Sequence, residues 1–212
     1  MFSCIPPYQI RHNFLDSGLV ARLLDYAVLN EARFEPTSTQ GGLNTEVRRS
    51  ARLCELGDLR PVLEGVFLPL KPALTKSVGT QPFDLSGLEL ELVAHGDGAF
   101  YTTHLDTATG PPESRGKHTR MLSAVYYFHA EPKGFAGGAL RLHALGPPAP
   151  NRPFIDLEPE HNTLAVFPSI VLHEVLPVSC PSGRFIDSRF AINCWMNRAD
   201  TAARTRLAGT SA

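Results

Sequence analysis

No CxxC pair, no run of basic residues and no long apolar stretch occurs in this 212-residue chain, and each absence removes a class of function. Four cysteines (Cys4, Cys54, Cys180, Cys194) lie far apart, which argues against a disulfide or zinc framework and for free thiols in the cytoplasm. A formal net charge of −1 with no basic cluster gives no footprint for nucleic acid. The opening Met1 to Pro7 is short and broken by proline, so it reads as neither a signal peptide nor a membrane anchor. Catalytic signatures are missing too. There is no GxSxG elbow, phosphate-binding glycine loop, GxGxxG or HxH. His173-Glu174 lacks the second histidine of HExxH, and Pro177 would break the helix that motif needs.

What is present changes period along the chain. Residues 16 to 32 carry Leu19, Val20, Leu23, Leu24, Ala27 and Val28 at helical spacing behind a cap at Asp16 or Ser17. Phe34 to Asn44 reads as a loop. A second helix starts near Asp58 with a stripe of Leu63, Val66 and Phe67, and Pro69 and Pro72 are expected to limit its length. From about residue 87 the period becomes two, beginning with Leu88 to Val93. Further strands are expected at 100–105, 120–128, 139–143, 163–167, 170–174 and 189–196, punctuated by Gly/Pro turns. Seven or eight short strands of this kind predict a sandwich or jelly roll in a single domain, 1–212. Residues 1–86 are expected to form a helical layer with loops, 87–198 the β core, and 199–212 a frayed tail.

His104-Leu105-Asp106 is the first chemical signal. Alternation along a strand puts His104 and Asp106 on one face. Two imidazoles and one carboxylate on one side of a metal form the facial triad of non-haem Fe(II) oxygen chemistry. An HxD alone is common by chance, and His173, ending an apolar run, is either a satisfied core histidine or the third ligand. His12, His118, His129, His143 and His161 lie beside turns or polar stretches and read as surface residues. In the last strand Phe190, Ile192, Cys194 and Met196 make a core face. Arg189, Ala191, Asn193 and Trp195 make the other, which faces either solvent or a polar pocket. The planar fork of Arg189 suits a carboxylate, and Arg184 is its rival unless it pairs with Asp187.

Taken together, Thr102 to Asp106, Arg120 to Phe128, Gly137 to Leu142, His173 to Val178 and Arg189 to Trp195 resemble the prolyl-4-hydroxylase-like 2-oxoglutarate and Fe(II)-dependent oxygenases over about residues 88 to 196. The segment Val47-Arg48-Arg49-Ser50 is similar to bacterial members. The resemblance implies a mainly β double-stranded β-helix (jelly roll) with N-terminal helices. It implies Fe(II) held by His104, Asp106 and His173. 2-Oxoglutarate would be bound at Arg189, with Tyr127 and His95 as further contacts, and O₂ as oxidant with ascorbate as a candidate reductant. Asn193 and Trp195 would line the substrate pocket. The implied activity is hydroxylation of an unactivated C–H bond on a prolyl, peptidyl or amino-acid-like substrate. Alternatives are a small-molecule natural-product oxygenase and a non-catalytic metal-binding jelly-roll module. A peptide or small molecule is the expected partner, with neither nucleic acid nor membrane. The carboxylate of Asp106 leaves no ligand position for halide and disfavours halogenation.

Overall fold

The computed structural model describes residues 4–37, 44–107, 118–146 and 151–199. The elements in chain order begin with β1 (Gln9–His12), α1 (Ser17–Leu29), β2 (Glu35–Pro36), β3 (Arg48–Arg49), β4 (Ala51–Leu53) and α2 (Leu59–Ser77). Then come β5 (Leu85–His95), β6 (Phe100–His104), β7 (His118–Phe128), β8 (Ala136–Gly137) and β9 (Leu140–His143). The chain continues through β10 (Phe154–Leu157), β11 (Thr163–Pro168), β12 (His173–Val175), β13 (Val178–Ser179) and β14 (Arg189–Ala199).

Two sheets face each other. The larger has the order β1-β11-β7-β14-β5-β4-β2, the smaller β10-β9-β12-β6-β3, and β13-β8 forms a separate ribbon. Strand β14 holds the centre of the larger sheet, antiparallel to β5 on one side and β7 on the other. Its alternation sends Phe190, Ile192, Cys194 and Met196 outward into the core beneath the two helices. Arg189, Asn193 and Trp195 face the space between the sheets. Leu23 of α1 and Leu63 and Phe67 of α2 are almost fully buried in that outer core. Each such side chain contributes about 1.5–3 kcal/mol. A smaller inner core of Tyr127, Leu142, Ala165, Phe167 and Ala191 joins the sheets.

Helix α1 starts where the sequence placed it, because the Asp16 carboxylate accepts the Leu19 N–H at 2.9 Å. Asn162 fixes the approach to that helix. In a left-handed conformation (φ 52°), its side chain accepts from the Leu15 N–H and donates to the Leu15 carbonyl.

Several expectations are corrected. Pro69 and Pro72 do not end α2, which runs to Ser77. Both prolines lie on its exposed face, so the carbonyls they leave unpaired are open to water, while Leu74 anchors the following turn in the core. The first third is not helices and loops alone, since β1, β2 and β4 extend the larger sheet and β3 the smaller. The loop expected from Phe34 therefore contains a short strand, β2, paired with β4. The strand expected at 170–174 begins only at His173; Ile170 is 63% exposed in a turn. Among the described residues fourteen strands form, more than the seven or eight expected. Most of the added ones are only two to four residues long, too short to show a period. The expected tail and most of the 107–119 loop lie outside the described residues. Among the described residues no helix is long and apolar enough to cross a membrane.

Candidate metal centre and its cavity

Between the sheets lies a cavity of about 750 Å³. His104 closes β6, and His173 opens β12 directly opposite it in the antiparallel register. Asp106 falls two residues past the end of β6, not within the strand as expected. Its position is set by Ser123 of β7, whose hydroxyl donates to Oδ2 at 2.6 Å and lies 2.9 Å from Ser169 Oγ. His104 Nε2 is 3.8 Å from Asp106 Oδ1, and His173 Nε2 is 3.6 Å from Oδ2. The three ligand atoms lie within 4.8 Å of one another.

The two rings are oriented alike. His104 Nδ1 donates to the Thr102 carbonyl and His173 Nδ1 to the Val171 carbonyl, each at 2.8 Å. A neutral ring held this way carries its free lone pair on Nε2, and both Nε2 atoms point toward the same carboxylate. Burial, then the nearby His173, pushes His104 below the usual imidazole range. Burial alone would raise Asp106, but His173, His104 and the Ser123 hydroxyl outweigh it and hold the carboxyl ionised at lower pH. Two imidazole Nε2 atoms and a carboxylate are a donor set that a divalent first-row metal takes, and the arrangement fits it here.

A second group sits deeper. Arg189 is 2% exposed, with its guanidinium 4.8 Å from the Tyr127 ring centroid and its Nη1 donating to His95 Nδ1 at 3.2 Å. Burial, with the Arg189 charge next, pushes His95 well below its ordinary value, so it remains the neutral acceptor. Burial also pushes Tyr127 up to about 12. Two polar atoms here, Tyr127 Oη and Arg189 Nε, are buried without a hydrogen-bond partner. A buried cation beside an unsatisfied hydroxyl fits a carboxylate ligand, which would accept from both. Gly138 makes room for this arginine. At φ 72° it lies where an added Cβ would come within 2.7 Å of Arg189 Cδ.

The three expected metal ligands, the three expected co-substrate contacts and the two expected substrate-pocket residues, Asn193 and Trp195, thus all line one cavity. Arg184 does not line it; exposed, it lies 3.6 Å from Asp187. Among the histidines expected at the surface, His129 is corrected: it is 6% exposed, its ring packed edge-on against Phe135 and His161. His143 is half-buried against Glu174. Several lining residues had no role assigned from the sequence. The Tyr101 ring stacks on His104 at 3.5 Å, Arg48 covers its other face at 4.6 Å, Arg120 lies 3.8 Å from the Trp195 ring, and Glu91 pairs with Arg52 at 3.0 Å. Tyr101 and His104, three apart, share a face only because the register shifts between His173 and Val175. Strict alternation would have put them on opposite faces.

The sequence model of the 2OG-Fe(II) oxygenase superfamily matches residues 90–197. An uncharacterised PKHD-type hydroxylase of Synechocystis is 36% identical over 131 residues, which are 60% of this chain but 42% of that protein. A prolyl-4-hydroxylase of Pseudomonas putida has a TM-score of 0.67 at 25% identity, covering 92% of this chain and 94% of its own. A prolyl hydroxylase of Trichoplax adhaerens, solved with a hypoxia inducible factor peptide fragment, has a TM-score of 0.68 at 20% identity, covering 94% of this chain and 86% of its own. At that identity the second likeness is one of fold.

Proposed function

The chain belongs to the 2OG-Fe(II) oxygenase superfamily, whose cofactors are Fe(II), 2-oxoglutarate and O₂, and on that premise we propose that it hydroxylates an unactivated C–H bond of a prolyl, peptidyl or amino-acid-like substrate. The observation that carries this reading is the pairing of two sites in one cavity: three metal donors at His104, Asp106 and His173, and a buried carboxylate receptor at Arg189. A non-catalytic metal module has no use for the second.

The assigned roles follow from position. His104, Asp106 and His173 hold Fe(II), and the carbonyls of Thr102 and Val171 keep both rings turned toward it. Arg189 and Tyr127 bind the distal carboxylate of 2-oxoglutarate, and His95 holds the guanidinium from behind. Iron and 2-oxoglutarate together supply the oxidising power: O₂ is consumed, one oxygen atom enters the C–H bond, and succinate and CO₂ leave. The apolar inner core around Tyr127 excludes water from the co-substrate end. Arg120, Trp195 and Asn193 form the wall against which the substrate is oriented.

Fe(II)- and O₂-dependent succinate release from 2-oxoglutarate tests the reading, with peptides and amino acids screened for stimulation and for a mass gain of one oxygen. Stimulated release with the oxygen added is the expected result; iron-independent release, or none, overturns it. The close approach at Gly138 gives a second expectation. Gly138→Ala should raise the 2-oxoglutarate KM by roughly tenfold, the equivalent of about 1.4 kcal/mol, by displacing Arg189. Gly183→Ala shares the positive φ but meets nothing within 4 Å, so it should leave KM unchanged. Equal KM values in the two variants would contradict the proposed place of Arg189.

A further inference from the structure

Charge in the cavity is nearly balanced, and the exception is localised. Among the described residues its wall carries four arginines, Arg48, Arg52, Arg120 and Arg189, and three carboxylates, Glu89, Glu91 and Asp106. Three of the arginines are engaged. Arg52 pairs with Glu91 at 3.0 Å and Arg120 pairs with Glu89, while Arg189 is the proposed receptor for 2-oxoglutarate. Bound Fe(II) and the 2-oxoglutarate dianion cancel each other, so the loaded cavity retains one positive charge.

That charge is Arg48. Its Nε donates to Ser50 Oγ at 3.2 Å, and among the described residues neither terminal nitrogen has a protein partner and no carboxylate lies within ion-pair distance. Glu91, whose charge favours the Arg48 guanidinium most, is already paired with Arg52 at 3.0 Å. Burial disfavours the charged guanidinium, so an unpaired Arg48 is held at a cost that a ligand could relieve. Its location gives that ligand a role. Arg48 covers one face of Tyr101 at 4.6 Å, and the other face of that ring stacks on His104. An anion bound there would lie one aromatic ring from the proposed metal centre, on the wall facing the substrate space.

We infer that Arg48 is the specificity-determining anchor of this cavity, and that its substrate carries a carboxylate which pairs with the Arg48 guanidinium while a neighbouring C–H bond is presented to the metal. This rests on the hydroxylase reading and deepens it. A carboxylate is a planar acceptor that matches the arginine fork. It could be the α-carboxylate of a free or C-terminal amino acid or an acidic side chain beside the target residue, and paired probes separate the two sources.

The test uses the full chain loaded with Mn(II) and 2-oxoglutarate, so that binding is read without turnover. Trp195 is the only tryptophan and lines the cavity, so its fluorescence reports occupancy, with calorimetry as a second readout. One probe pair is N-acetylproline and its amide; the other is a short blocked peptide with Pro-Glu and its Pro-Gln counterpart. In at least one pair the carboxylate member should bind roughly tenfold more tightly or better. Arg48→Gln should erase that preference, Arg48→Lys should keep part of it, and Arg49→Gln, on the exposed neighbour, should keep all of it. Absence of binding by either carboxylate probe, equal binding within both pairs, or a preference that survives Arg48→Gln overturns the assignment. Wild-type succinate release from 2-oxoglutarate alone is measured alongside. Its absence overturns the hydroxylase reading itself, whereas its presence without a carboxylate preference overturns only the role of Arg48.

Discussion

Asp106→Ala should abolish Fe(II) retention and lower succinate production by roughly a thousandfold or more, a loss of about 4 kcal/mol at about 1.4 kcal/mol per decade. The size of the effect follows from the role proposed for Asp106. Among the described residues of the ligand group it is the only anion, so its loss removes both a donor atom and the charge that offsets the metal. The carboxylate is also the point on which both histidine Nε2 atoms converge, at 3.6 and 3.8 Å. His173→Ala should fail in the same way. His161→Ala should retain iron and turnover, because His161 packs against His129 outside the cavity. Anaerobic iron titration of all three variants, with circular dichroism to confirm folding, decides the matter. Equal losses in His173→Ala and His161→Ala would mean the third ligand is misassigned.

The second large effect is expected at Arg189. Its side chain is the largest fully buried one among the described residues, and its pKa is pushed down by burial. Charge-assisted hydrogen bonds are worth about 1.5–3 kcal/mol, so Arg189→Lys, which keeps the charge and loses the fork, should raise the 2-oxoglutarate KM roughly ten- to a hundredfold. Arg189→Ala should cost more, because it leaves the co-substrate carboxylate buried without a cation. Iron affinity without co-substrate should barely move in either variant. Arg184→Ala should leave both quantities unchanged, since Arg184 is exposed beside Asp187 and outside the cavity. A large co-substrate defect in Arg184→Ala with a silent Arg189→Lys would place the anchor in the 179–188 loop instead.

What was legible in the sequence is what depends on local period. The alternation of β14 separates Phe190, Ile192, Cys194 and Met196 from Arg189, Asn193 and Trp195, and the structure divides them in that way. The cap at Asp16 is equally local. The resemblance drew the distant segments bearing His104 and His173 into one family pattern. The remainder depends on contacts that no window of sequence contains. Strand β1 pairs with β11, His12 and Thr163 being 151 residues apart in the chain, and four residues are too few to show a period. Tyr101 was hidden by a register shift that alternation cannot anticipate. Arg120 read as an ordinary strand residue and Arg48 only as part of the segment similar to bacterial members, until the fold set each over an aromatic ring of the cavity. His129 looked like a turn residue because its burial comes from Phe135 and His161, not from its own neighbours.

The central claim is that the three donors and Arg189 form one composite site in which metal and co-substrate are bound together. Anaerobic calorimetric titration of 2-oxoglutarate into the Fe(II)-loaded and the metal-free protein tests it most directly. One equivalent of 2-oxoglutarate should bind the loaded protein at least roughly tenfold more tightly than the metal-free protein, with the gain lost in Asp106→Ala and the residual affinity lost in Arg189→Ala. Equal affinity with and without metal, or an unchanged gain in Asp106→Ala, would contradict it.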